Sequence, residues 1–373
     1  MPRFDFKHID WLLVAFVLPI IFAGLVTMRS FVGDTPFFKQ QLIWTCISFV
    51  VFLFISFLDF RFLKKTKFII LLYIFFLVIL TMLFVFGSTV KGATSWFDLG
   101  SFSFQPVDFV KIVLIIVLAK YFSRRHVEIK DPRHVFVSAL YAAIPFFLVF
   151  LQPDFGSALI IFIIWFGMTL ISGISKKHLA TVFLIGMTAF AGLWIFVFED
   201  YQKNRIETFL HPLSDIRGVG YNAYQSTVAV GSGQMFGKGV GYGTQSRLQF
   251  LPEFQTDFIF AAFSEEWGFV GSATVILLYV LVIWRILKTA MYGSTNFEVL
   301  FGVGVAVMIM SHTIINIGMN IGLMPVTGIT LPFMSYGGSN LLMLFISLGI
   351  LMGMRKYRRE IHREDMNQEF LGI

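Results

Sequence analysis

The chain has one cysteine in 373 residues, Cys46, set in an apolar run. A single thiol excludes a disulfide framework and any cysteine-based zinc site. In that setting it reads as a small buried hydrophobe. Charge is also scarce: charged residues make up 14% of the chain, against roughly 25% in a soluble domain. No His/Glu cluster has the spacing of a metal site, and no Ser-His-Asp order supports a hydrolytic triad. No Gly-Lys-Ser/Thr follows the glycine-rich stretch, which excludes a Walker-type loop. Strand-period alternation is absent, which argues against a lipid-embedded barrel. No small-residue cleavage site follows Trp11 to Val26, so this run reads as a first membrane span and not as a cleaved signal.

What the chain has is apolar length. Hydrophobic residues are 57% of it, with 47 phenylalanines, and the mean hydropathy is +0.79. A span needs about 20 mostly apolar residues. Segments 10–28, 38–58, 67–87, 106–122, 135–151, 156–174, 178–198, 262–287, 297–320 and 333–354 meet this description. The fold class is therefore an all-α polytopic membrane protein of about ten spans. A long loop, 199–261, separates the seventh span from the eighth, and residues 1–373 form one membrane domain.

The net charge of +7 is explained by topology. Arg61, Lys64, Lys65 and Lys67 fall in one set of connections, as do Arg124, Arg125, Lys130 and Arg133, Lys176 and Lys177, and the basic tail 355–373. The alternate set is poor in Lys and Arg, apart from the long loop. Positive residues mark the cytoplasmic side, so both termini are expected inside and 199–261 outside. This use of the basic residues removes a nucleic-acid partner.

Four outer segments carry the remaining polar chemistry. In "LPEFQTDFIFAAFSEEWG" (251–268), Asp257 stands where the long loop re-enters the membrane, with Glu265 and Glu266 further along. In "KGATSWFDLGSFSFQPVDFVKI" (91–112), Gln105-Pro106 reads as a helix start. Asp108 and Lys111 then share one helix face, as a structural ion pair or as a charged pair lining a site. In "LQPDFGSALI" (151–160), Asp154 reads as a helix cap. The segment "MPVTGITLPFMSYGGSN" (324–340) holds no formal charge and suits a wall of backbone and hydroxyl donors. On the ninth span, His312, Asn316 and Asn320 repeat every four residues and share a face. Such a stripe turns to the bundle interior. It is expected to make interhelical hydrogen bonds, with His312 too deep to meet a substrate's polar headgroup. Lys91, Arg205, Arg217, Lys238 and Arg247 are available from loops. The glycines of "GVGYNAYQSTVAVGSGQMFGKGVGYGTQ" (218–245) suit turns or close backbone approach.

Together these segments resemble the SEDS family of shape, elongation, division and sporulation proteins, over nearly the whole chain. "LPFMSYGGSN" is close to the family signature, and "KGATSWFDLGSFSFQP", "QPDFGSALI", "GYNAYQSTVAVGSG" and "TDFIFAAFSEEWG" follow in family register. Short termini and "WFDLG" look more like the RodA branch than the FtsW branch. The resemblance implies a glycosyltransferase that polymerises lipid II on the outer face of the bacterial cytoplasmic membrane. It implies a class B penicillin-binding protein as partner, among other membrane proteins of the elongation complex. It makes Asp257 the essential carboxylate. The supporting set is Asp108, Lys111, Asp154, Lys91, Trp96, Gln105, Arg205, Gln225, Ser335, Tyr336, Gly337, Gly338 and Ser339. The chain departs from the family pattern at Val107-Asp108, where Ser-Glu is usual, and at Gln249, Gln255 and Asn340. The charge lost at Gln249 puts a catalytic role there in doubt.

The chemistry so implied is one inverting displacement. Pyrophosphate leaves without a carboxylic acid's help, so one base suffices, with Lys111, loop arginines or a divalent cation (Mg²⁺ or Mn²⁺) offsetting its charge. Two rival readings are a lipid II flippase and a non-catalytic scaffold for the penicillin-binding protein. A transporter calls for internal repeats and midplane charge, neither of which is evident. A scaffold needs no buried carboxylate.

Overall fold

The computed structural model describes residues 6–31, 36–90, 93–98, 100, 103–124, 132–196, 200–211, 220–248 and 250–371. All ten expected spans fall on helices. They are α1 (Trp11–Phe31), α2 (Pro36–Ser56), α3 (Thr66–Phe86), α4 (Pro106–Arg124), α5 (Pro132–Phe150), α6 (Phe155–Ile171) and α7 (Lys176–Phe196). After the long loop come α11 (Ile259–Met291), α12 (Asn296–Asn320) and α13 (Gly338–Leu371). Among the described residues, seven of these helices are long and apolar enough to cross a membrane, and α6 is a shorter apolar helix. The chain is a multi-pass membrane protein.

Position in the bundle explains the composition of each helix. α3 is the most hydropathic span yet has 17% of its best window buried; α12 is less hydropathic and 78% buried. Lipid-facing helices must be apolar all round, whereas a central helix is free to carry polar groups that meet protein. α4 goes furthest: it holds Asp108, Lys111, Lys120 and Arg124 in 19 residues, and 14 of its residues are buried. α4 packs against α3, α5, α6, α12 and α13. The reading of Cys46 as buried is corrected: its side chain is exposed on α2. An apolar run in a membrane does not tell the core from the lipid-facing side.

No strand is expected from the residue pattern, but a three-stranded antiparallel sheet precedes α4: β1 (Ser88–Val90), β2 (Ala93–Asp98) and β3 (Ser103–Phe104). The tight connection between α5 and α6 is fastened to this sheet. Buried Gln152 donates from Nε2 to Leu80 O, 2.8 Å, and accepts Thr94 N–H, 3.3 Å.

The long loop contains α8 (Asp200–Leu210), α9 (Tyr221–Ser232) and α10 (Thr244–Arg247). Short helices and turns are expected there, and the glycine-rich part folds onto α11. The long α11 is broken at Gly268, at φ 66° and ψ −164°. This is backbone space that belongs almost only to glycine. The helix bonds lost at the break are replaced by the loop. Lys238 and Gly239 N–H groups donate to Glu265 and Glu266 carbonyls, 3.0 Å each. Phe269 and Val270 N–H groups donate to Gln234 and Met235 carbonyls, 2.8 and 3.1 Å.

Candidate active site

The uncharged segment between α12 and α13 is the hub of the site. Three consecutive carbonyls of the turn before α11 are held from elsewhere in the fold. Gln255 O accepts Tyr336 N–H at 2.8 Å, and Thr256 O accepts the Ser335 hydroxyl at 2.6 Å. Asp257 O accepts Nδ2 of Asn316 at 2.9 Å and Nδ2 of Asn320 at 3.0 Å. The Asp257 side chain is half-buried, and its Oδ2 lies 3.8 Å from where a Cβ on Gly328 would sit. The N-cap residue of α11 is Phe258, which makes no side-chain cap bond. Asn320 Oδ1 supplies that function by accepting Ala261 N–H at 3.0 Å.

The same segment is tied to α2. Gln41 donates to Ser335 O at 3.1 Å and accepts Gly337 N–H at 3.2 Å, while the Tyr336 hydroxyl donates to Gln40 Oε1. A Cβ on Gly338 would meet the Trp44 ring at 2.5 Å. The expected wall of donors is thus turned largely inward, where it fastens the turn that bears Asp257.

Asp108 and Lys111 form the expected ion pair, Nζ to Oδ1 3.0 Å, and both are 2% exposed. Lys111 Nζ also lies 3.4 Å from His312 Nε2. His312 Nδ1 is 3.3 Å from Thr330 O. A carbonyl can only accept, so Nδ1 carries the hydrogen and Nε2 accepts from the ammonium. His312, expected to make interhelical hydrogen bonds, thus joins α12 to the ion pair on α4. Asn340 Nδ2 lies 3.5 Å from Asp108 Oδ1, and among the described residues the buried Asp108 Oδ2 has no hydrogen-bond partner.

Asp154 caps α6, as its position suggests, by accepting Ser157 N–H at 3.0 Å, and it also accepts Gln105 Nε2 at 3.3 Å. Gln105 N–H donates to the Ser339 hydroxyl, 3.3 Å, which donates to Ser103 O, 3.2 Å. These bonds join the starts of α4, α6 and α13. Trp96 sits half-buried in β2, where its carbonyl accepts the Ser88 hydroxyl at 2.9 Å. Gln225 is half-buried on α9, which packs on α11 and α12.

Glu265 and Glu266 do not join Asp257. Buried Glu265 accepts Lys238 Nζ at 2.7 Å, Thr244 N–H at 2.8 Å and Gln245 N–H at 3.2 Å. Glu266 accepts Gly241 N–H. Both carboxylates hold the glycine-rich loop on α11. Lys91, Arg217 and Gln249 lie outside the described residues, and Arg205 is on α8 with its side chain outside them. Among the described residues no three His, Cys, Asp or Glu gather as a metal site. Gln40, Gln41 and Ser226 escape a reading of the sequence. The adjacent glutamines in an otherwise apolar α2 are the available signal, since polar side chains in a span face protein.

Fold and site together define a multi-pass helical membrane protein with its polar network at the ends of α4, α6, α11, α12 and α13. The chain belongs to the family of FtsW, RodA and SpoVE cell cycle proteins, which matches residues 7–360. It is 36% identical over 360 residues to Stage V sporulation protein E of Bacillus subtilis, covering 94% of this chain and 98% of that protein. It is 36% identical over 280 residues to the peptidoglycan glycosyltransferase MrdB of Escherichia coli K12, covering 74% and 75%. A chain solved in a study of how a peptidoglycan synthase complex coordinates polymerization and crosslinking superposes with TM-score 0.79 at 29% identity, covering 94% and 98%. The crystal structure of Thermus thermophilus RodA superposes with TM-score 0.70 at 28% identity, covering 94% and 98%. Equal identity to sporulation and MrdB relatives does not by itself select a branch.

Proposed function

We propose that this chain polymerises lipid II into glycan strands during cell-wall elongation, with Asp257 as general base. That it is a glycosyltransferase of peptidoglycan synthesis rests on its family and on relatives named for that activity. The elongation role rests on the RodA-like "WFDLG". The observation that carries the base is the anchorage of Asp257 by its carbonyl, through Asn316 and Asn320. The turn is fixed without using the carboxylate as the helix cap.

In the reaction, the acceptor's GlcNAc 4-hydroxyl oxygen bonds to C1 of the donor's MurNAc. The bond from C1 to the phosphate oxygen breaks, and undecaprenyl pyrophosphate leaves. The hydroxyl proton passes to Asp257. One displacement inverts an α-linked donor to a β-linked product. A positioned base contributes about 10²–10⁴-fold. Lys111 and Lys238 are committed to Asp108 and Glu265. A divalent cation, Mg²⁺ or Mn²⁺, near Asp257 would offset the pyrophosphate charge, held mainly by phosphate oxygens.

Both termini are cytoplasmic and the site faces outward, on the alternation of Lys and Arg. A class B penicillin-binding protein is the partner, supported by the likeness to a chain from a complex that polymerises and crosslinks. The test is purified chain with lipid II, with and without that partner, read as glycan strands on a gel. Strands are expected, and their absence with the partner present would defeat the reading.

A further inference from the structure

Two buried asparagines converge on the Asp257 carbonyl, an atom that takes no part in the proton transfer. Asn316 and Asn320 are both 0% exposed. Asn320 has a structural task, since it caps α11 through Ala261 N–H and receives the Ser226 hydroxyl on its own carbonyl at 2.8 Å. Asn316 caps nothing. Its amide nitrogen has two hydrogens, and it meets two carbonyls from two different segments: Asp257 O at 2.9 Å and Ile329 O at 2.7 Å. Ile329 follows Gly328, the residue beside the Asp257 carboxylate. One turn earlier on α12, His312 binds the next carbonyl, Thr330 O, and reaches Lys111. A single helix face therefore fixes where the Asp257 turn stands relative to the hub segment and to the buried ion pair.

We infer that Asn316 is a positioning residue for the glycosyl transfer: its amide clamps the Asp257 backbone to the 328–330 segment and so sets the aim of the carboxylate. The inference rests on Asp257 being the base. It deepens that reading by naming what holds the base in place. A misplacement of about 1 Å can cost on the order of 10²-fold in rate without loss of binding.

The test uses the full-length chain with its partner and lipid II. Asn316→Leu keeps the side chain's size and removes both donors; Asn316→Ala leaves room for water. Each is made alone and with Asp257→Asn, and folded protein is quantified by size exclusion and thermal unfolding. Either single variant is expected to lower kcat about 10²-fold per folded molecule while KM stays within about threefold, the pattern of an interaction needed only in the transition state. In the Asp257→Asn background the Asn316 change should add nothing further, because residues acting through one group are not additive. Normal kcat in Asn316→Leu, with Asp257→Asn inactive, would overturn the inference alone. So would a full multiplicative loss in the double variant, or failure of both Asn316 variants to fold. Full activity of Asp257→Asn would overturn the base and the inference together.

Discussion

Lys111 Nζ stands 3.4 Å from His312 Nε2, across 201 residues of sequence, and 3.0 Å from Asp108 Oδ1. This makes the ion pair a joint between α4 and α12. Charges so buried are costly to separate: removing one partner of a buried pair costs about 3–5 kcal/mol, whereas replacing both by uncharged residues is often neutral.

Lys111→Ala is therefore expected to lower thermal stability as well as polymerisation, because Asp108 is left buried with its charge. Asp108→Asn combined with Lys111→Met should regain stability. If the pair serves the site, polymerisation stays low in the restored protein. Recovery of both together, by thermal unfolding and lipid II assay, would make the pair purely structural.

At Gly268 a Cβ would overlap the Gly237 nitrogen and stand 2.7 Å from Met235 O. Gly268→Ala must therefore push the glycine-rich loop away as well as strain its own backbone. The strain alone is worth about 1–3 kcal/mol. Faster proteolytic cutting within residues 233–247 should report the loss of the four loop bonds. Gly186→Ala is the control: among the described residues nothing lies within 4 Å of its Cβ position on α7, where it is exposed, and exposed helical Gly→Ala gains roughly 1 kcal/mol or less.

Much of this is legible in the sequence. Each span announces itself by apolar length, and the stripe His312, Asn316 and Asn320 announces a buried face by its four-residue spacing. Asp154 reads as a cap and is one. The contact of His312 with Lys111 is not legible, because sequence gives position along a helix and not the offset between helices. Glu265 and Glu266 give no sign of partners 20 to 27 residues away on the loop. The sheet before α4 is hidden because its strands run only three, six and two residues.

Topology follows from the basic residues and is checked by labelling in a Cys46→Ser background. Tyr242→Cys, at a position 69% exposed in the long loop, should react with a membrane-impermeant maleimide in intact cells or spheroplasts. Lys65→Cys should react only after permeabilisation. The reverse pattern would invert the orientation and remove the site from the outer face.

The last prediction concerns Asp257 itself. As a helix cap, aspartate would be replaced by asparagine with little effect, since the two cap about equally well. The cap position of α11 belongs to Phe258, however, and Ala261 N–H is met by Asn320. Two bonds that anchor residue 257 reach its backbone carbonyl and survive a change of side chain. Asp257→Asn should therefore keep its thermal unfolding midpoint and its partner. Asparagine cannot take the acceptor's proton, so polymerisation should fall by about two orders of magnitude or more. Asp257→Glu keeps the carboxylate on a side chain one methylene longer, next to Gly328, and should retain more activity than the asparagine variant. Near-normal glycan synthesis by folded Asp257→Asn would show that the proton leaves by another route.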